Sequence, residues 1–67
     1  MTFTVVVRNK VLGTSRGCGA WDDSTGAAAY AQREAERSRS FCVFEVWRGT
    51  PRTPIAPVDG MVFVGVK

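Results

Sequence analysis

Residues 41–48 read Phe-Cys-Val-Phe-Glu-Val-Trp-Arg and form the clearest strand-like segment in the chain. Alternate residues of a strand point to opposite faces of its sheet. The two resulting sets are Cys42, Phe44 and Val46 on one face, and Phe41, Val43, Glu45 and Trp47 on the other. The first set is wholly apolar and the second is mixed, so the segment predicts a strand with one side in a core.

Two further segments predict strands that could pair with this one. Residues 2–8 are rich in valine and threonine. The apolar set Phe3, Val5 and Val7 alternates with the mostly polar set Thr2, Thr4, Val6 and Arg8, which is typical of a strand. Residues 61–66 are apolar on both faces, and Asp59-Gly60 before them is a turn signal. The sheet is therefore expected to contain at least three strands.

Between these segments the sequence predicts loops. Asn9 can turn the chain, which leaves Val11-Leu12 as the start of a short extra strand. The glycine-rich residues 13–19 are expected to form a loop or an irregular edge. Residues 49–60 contain all three prolines, which cannot donate to a central ladder, and they are expected to form one long loop.

One helix is predicted from about Ser24 to Arg39. Asp22-Asp23 precedes it, and acidic side chains can accept hydrogen bonds from the free amides of a first turn. Residues 27–37 are mostly strong helix formers, and alanines dominate one face. Because alanine is small, that face can lie close to a sheet.

These elements predict an α+β fold, with residues 1–67 forming a single small domain. A three- or four-stranded, mostly antiparallel sheet would carry one helix packed on one face. The sheet residues expected beneath the helix are Phe3, Val5, Val7, Cys42, Phe44 and Val46. A chain of this size buries only ~60% of its unfolded surface, so its stability is marginal, and a partner or a second copy would add to it.

Enzymatic chemistry is not expected. The chain has no histidine, which is the usual general base and a common metal ligand. Its two cysteines, Cys18 and Cys42, cannot complete a four-ligand zinc site. We therefore expect no catalytic residue, no metal and no cofactor. Free thiols are expected, with a Cys18–Cys42 disulfide left open.

The location of the protein is expected to be cytoplasmic. No apolar segment is long enough to span a bilayer, and the first residues lack the pattern of a signal peptide. A membrane partner is accordingly not expected.

The sheet face away from the helix is the candidate binding site, since one helix can cover only one face. Strand parity and neighbouring positions give six candidate contact residues, which are Arg8, Phe41, Glu45, Trp47, Arg48 and Arg52. Tryptophan and arginine are the commonest hot-spot residues of protein interfaces. Three occupants remain open: the 49–60 loop folded back with Ile55, a second copy packed sheet against sheet, or a different partner.

The charge of the chain permits an acidic partner without requiring one. Nine lysines and arginines against six acids give a net charge of +3. Exposed aromatics flanked by arginines could stack single-stranded bases, so direct binding of nucleic acid is an alternative. Glu34 and Glu36 are interleaved with the helical arginines, which weakens a duplex-binding reading.

In layout the chain resembles small proteins of phages and mobile elements, among them anti-CRISPR proteins and inhibitors of host polymerases. The resemblance lies in the strand Thr4-Val5-Val6-Val7, the helix start Ser24-Thr25-Gly26-Ala27-Ala28-Ala29 and the strand 41–48. It implies a non-catalytic inhibitor that occupies a surface of a larger host complex, including one that handles nucleic acid. It carries no site residue over to this chain.

Overall fold

The computed structural model describes all 67 residues, as four strands and one helix. The elements are β1 Phe3–Asn9, β2 Thr14–Trp21, α1 Ser24–Glu36, β3 Cys42–Gly49 and β4 Pro54–Val64. All neighbouring strands pair antiparallel in one open sheet of order β2-β1-β3-β4, and α1 packs across one face. The predicted α+β fold is therefore confirmed.

The core lies between α1 and the sheet. Its buried members are Ala27, Ala31 and Ala35 from the helix, and Val5, Phe44 and Val46 from β1 and β3. Phe3, Val7 and Cys42 pack against this cluster as predicted. Because the helix contributes only methyl groups to the centre, it approaches the sheet closely, and the larger side chains come from the strands.

The glycine-rich segment, predicted as a loop or an irregular edge, is the edge strand β2, which pairs with β1 from Asn9 to Phe3. Its register shifts between the partners of Phe3 and Val5, where Gly19 has a φ of +73°. A bulge of this kind accommodates a left-handed glycine while keeping the ladder on both sides. Val11-Leu12, predicted as a strand start, lies instead in the β1–β2 turn.

Asn9 forms that turn as expected, since its side-chain Oδ1 accepts hydrogen bonds from the amides of Val11 and Leu12, each at 3.0 Å.

The long loop predicted at residues 49–60 is also wrong in extent, because β4 begins at Pro54. Only residues 50–53 connect the two strands. Proline is tolerated here because β4 pairs with β3 alone and lies at the edge of the sheet. Pro54 is the first residue of the strand, and Pro57 lies opposite Trp47 next to a register shift.

The helix begins where predicted and ends one turn earlier. Asp23 caps it by accepting a hydrogen bond from the amide of Gly26 at 2.9 Å. At the other end, the amides of Ser38 and Val66 both donate to the carbonyl of Ala35. The end of the chain therefore supplies partners for the last carbonyls, and the residues up to Arg39 leave the helix to meet it.

Candidate functional site

The face of the sheet opposite α1, called the open face below, is built from three cross-strand rows. Each row consists of residues that are paired across neighbouring strands, taken in the order β2, β1, β3 and β4. They are Ser15-Arg8-Val43-Val64, Gly17-Val6-Glu45-Val62, and Thr4-Trp47-Pro57 across the last three strands. Side chains in one row are direct neighbours, and those in adjacent rows lie within reach of long side chains.

A polar cluster lies at the centre of this face. The Arg8 Nε–H donates to Glu45 Oε1 at 2.8 Å, and the Trp47 indole N–H donates to the same oxygen at 3.0 Å. The Arg8 guanidinium carbon also lies 5.9 Å from the centroid of the Trp47 ring, within the range of a cation–π contact. The three side chains hold one another in place, and the carboxylate neutralises the guanidinium.

Beside this cluster the face is apolar. Val62 and Val64, in the last three residues of β4, are 51% and 48% exposed. Val43, in the row of Arg8 and Val64, is half-buried. We call Arg8, Val43, Glu45, Trp47, Val62 and Val64 together the uncovered patch.

The other end of the open face is covered by the connection between β3 and β4. A Cβ added to Gly17 of β2 would lie 2.7 Å from the Cα of Pro51 and closer still to the Pro51 carbonyl oxygen. The 50–53 segment therefore crosses β1 and rests on β2. Beneath it, Thr4 is fully buried and Val6 is 5% exposed. Of the 49–60 loop that the sequence predicts could fold back over this face, only the tip at residues 50–53 does so. Ile55, expected to help cover the face, is 73% exposed.

The burial of Thr4 is made tolerable by its hydrogen bonds. Its hydroxyl donates to the carbonyl of Gly19 at 2.7 Å, with the carbonyl of Cys18 at 3.3 Å as a second acceptor. No buried side-chain nitrogen or oxygen in the protein lacks a partner. The covered end of the open face therefore has all its buried polar groups hydrogen-bonded, and the uncovered patch is the part of this face that nothing in the chain covers.

Of the six predicted contact residues, the structure brings together Arg8, Glu45 and Trp47. Phe41 immediately precedes β3 and is 36% exposed. Arg48 pairs with Phe3 and Ala56, so by strand parity it belongs to the helix side of the sheet and not to the open face. Arg52 is exposed on the covering tip.

Two features of this site were not identified in the sequence. The sequence places one set of residues of the last strand on this face without indicating which set, and the exposure of Val62 and Val64 follows from β4 being an edge strand with no cover above it. The contact of Pro51 with Gly17 joins residues far apart in the chain, and no local pattern indicates it.

The chain offers few groups for other chemistry. No cluster of three or more His, Cys, Asp or Glu side chains lies close enough to hold a metal ion. Both cysteines are free thiols. Two shallow cavities, of about 270 Å³ and 180 Å³, flank the β1–β2 turn, and the larger includes Cys42 and Arg16 in its lining. No helix has the length and apolar character required to cross a bilayer.

Comparison of the chain with protein-family models, with curated proteins and with solved structures gave no match.

Proposed function

We propose that this protein is a small, non-catalytic binding module that acts by occupying a protein surface of a larger host complex, in the manner of phage and mobile-element inhibitors. The observation that supports it best is the uncovered patch. It combines a tryptophan and an arginine, both typical hot-spot residues, with two exposed valines on the same face of the sheet.

The charge arrangement on the patch favours a protein partner over nucleic acid. Arg8 is the only cation of the patch, and it is already paired with Glu45 at 2.8 Å. Binding of nucleic acid depends on cations that are free to neutralise phosphates. Protein interfaces, in contrast, combine apolar area with a few satisfied polar groups at their centre.

The patch also requires little reorganisation on binding. The Glu45 side chain is 18% exposed and already accepts two hydrogen bonds on one oxygen, while Arg8 is 48% exposed. A partner that covers this cluster buries a charge pair whose members are already hydrogen-bonded to each other. Covering an unpaired charge would carry a much larger desolvation cost.

The proposal is tested by affinity capture from a nuclease-treated bacterial lysate, using four tagged proteins in parallel. These are the wild type, Trp47→Ala, Arg8→Ala and, as a control, Arg33→Ala, which changes an exposed arginine on the helix. Circular dichroism first establishes that each variant is folded, because Trp47 is half-buried.

We expect one multisubunit complex to be recovered by the wild type and by Arg33→Ala, and to be lost with Arg8→Ala and Trp47→Ala. Equal recovery by all four proteins would refute the assignment of the patch. Recovery from an untreated lysate that is lost after nuclease treatment would instead indicate binding to nucleic acid.

A further inference from the structure

The two edges of the sheet differ in how they are protected against pairing with another chain. Open edges are normally blunted by prolines, charges or bulges. The β2 edge has Arg16 and the bulge at Gly19. The first half of β4 has Pro54, Pro57 and Asp59. The second half of β4, residues 61–64, and Gly65-Val66 after it contain no charge and no proline, and residues 62–64 pair with β3 in a continuous register.

The backbone of this second half is free to accept a partner strand. Gly65 donates its amide to the carbonyl of Cys42 across the β3–β4 ladder at 2.9 Å. Because hydrogen-bonding direction alternates along an antiparallel strand, Phe63 also faces β3, while Val62 and Val64 direct their amides and carbonyls outward. Neither valine makes a backbone hydrogen bond outside the ladder. Val66 is different, since its amide donates to Ala35.

We infer that a second copy of the chain pairs with this edge, β4 against β4, to form one continuous antiparallel sheet through both molecules. The inference is independent of the function proposed above. A two-fold axis at Phe63 places Val62 of each copy opposite Val64 of the other, which joins the outward backbone groups of both chains. About four inter-strand hydrogen bonds would then form across the axis.

Side chains and charges are compatible with this register. Val62 and Val64 project from the open face, so the pairing also sets exposed valines of the two copies side by side, a favourable cross-strand combination. The segment is flanked by Asp59 on one side and Lys67 on the other, both exposed. An antiparallel copy brings the acidic end of one segment to the basic end of the other.

The register gives a test that uses the purified protein with no other partner. Val62→Cys and Val64→Cys are made separately in a Cys18→Ala, Cys42→Ala background. Opposed residues of a hydrogen-bonded pair have Cα atoms about 5.5 Å apart, suitable for a disulfide, whereas two copies of the same position lie more than ~7 Å apart. We expect a disulfide-linked dimer on oxidation of the equimolar mixture and little from either variant alone.

Sedimentation of the unmodified protein gives the second measurement. We expect the mass to rise from monomer to dimer between micromolar and millimolar concentration. Val62→Lys should weaken this association about tenfold or more, because a charge at an edge opposes strand pairing. The control Val11→Lys alters a valine that is 71% exposed in the β1–β2 turn and should leave it unchanged.

A monomer at all concentrations, with no cross-link in the mixture, would overturn the inference. Equal cross-linking by each variant alone would overturn the register. Because a partner complex from a lysate plays no part in these measurements, their failure would leave the proposed function standing.

Discussion

Replacing Gly17 by alanine tests whether the 50–53 tip rests on the sheet. Gly17 lies on β2 and does not have a positive φ, so an alanine can adopt its backbone conformation. In an open environment, Gly→Ala at such a position stabilises a protein by about 0.4–1 kcal/mol through the entropy of the unfolded chain. A methyl group here, however, would meet the backbone of Pro51, with its Cα at 2.7 Å.

The sign of the change in the free energy of unfolding therefore shows whether the 50–53 tip contacts Gly17. Forcing extra volume into packed structure costs about 1–3 kcal/mol, and a backbone segment can yield only by moving as a unit. After the entropic gain is subtracted, we expect a net loss of about 1–2 kcal/mol. For a domain of this size, ~4–8 °C per kcal/mol lowers Tm by about 5–15 °C.

Thermal and urea denaturation followed by circular dichroism measure this change, and NMR shifts of residues 50–53 identify its source. Gly13→Ala is the comparison, because Gly13 has a φ of +72° and nothing within 4 Å of an added Cβ. We expect it to lose about 1 kcal/mol through backbone strain alone and to leave residues 50–53 unperturbed. An unchanged or higher Tm for Gly17→Ala would refute the contact and extend the open face to Val6.

Three pairs of substitutions test the remaining structure. Val46→Ala, at a fully buried position, should cost about 2 kcal/mol by denaturation, whereas Val62→Ala, at 51% exposure, should cost well under 1; equal losses would contradict the placement of the core. Asp23→Ala should cost about 1 kcal/mol of stability through loss of the helix cap, and Asp22→Ala should be nearly neutral in the same assay. Thr4→Val should cost about 1 kcal/mol, while Thr4→Ser keeps the hydroxyl bond to β2; a stabilised Thr4→Val would show that this bond contributes nothing.

The elements that the sequence predicts well are those whose own side chains carry the information. β3 has an apolar residue at every second position because one face meets the helix, and its observed bounds differ from the predicted ones by one residue. The helix start is specified locally by Asp23 and the alanines that follow. In these cases local pattern and tertiary contact agree, which is why residues of the open face such as Glu45 and Trp47 were placed correctly by parity alone.

The sequence predicts β2 only as a loop or an irregular edge, and the first half of β4 as a loop, because the strand character of these segments is imposed by their neighbours. The glycines of β2 are poor strand formers in isolation, yet Gly17 allows the tip to approach and Gly19 forms the bulge. The prolines of β4 exclude a central strand but not an edge, and strand order cannot be obtained from local pattern. Arg48 is among the predicted contact residues only because it follows Trp47 in the sequence. Its pairing with Phe3 and Ala56 places it on the helix side of the sheet.

The internal pairing of Arg8 with Glu45 has a consequence for the partner of the uncovered patch. Since the two charges already satisfy each other at 2.8 Å, the partner need not supply an opposite charge, and an apolar or weakly polar surface is the better complement. Association with such a surface depends little on ionic strength, whereas binding to phosphates weakens steeply as salt rises. Breaking the pair with Glu45→Gln would leave Arg8 uncompensated on the patch. A partner of the proposed kind should then bind more weakly, while a polyanion should bind more tightly, so one substitution measured at two salt concentrations separates the two classes of partner.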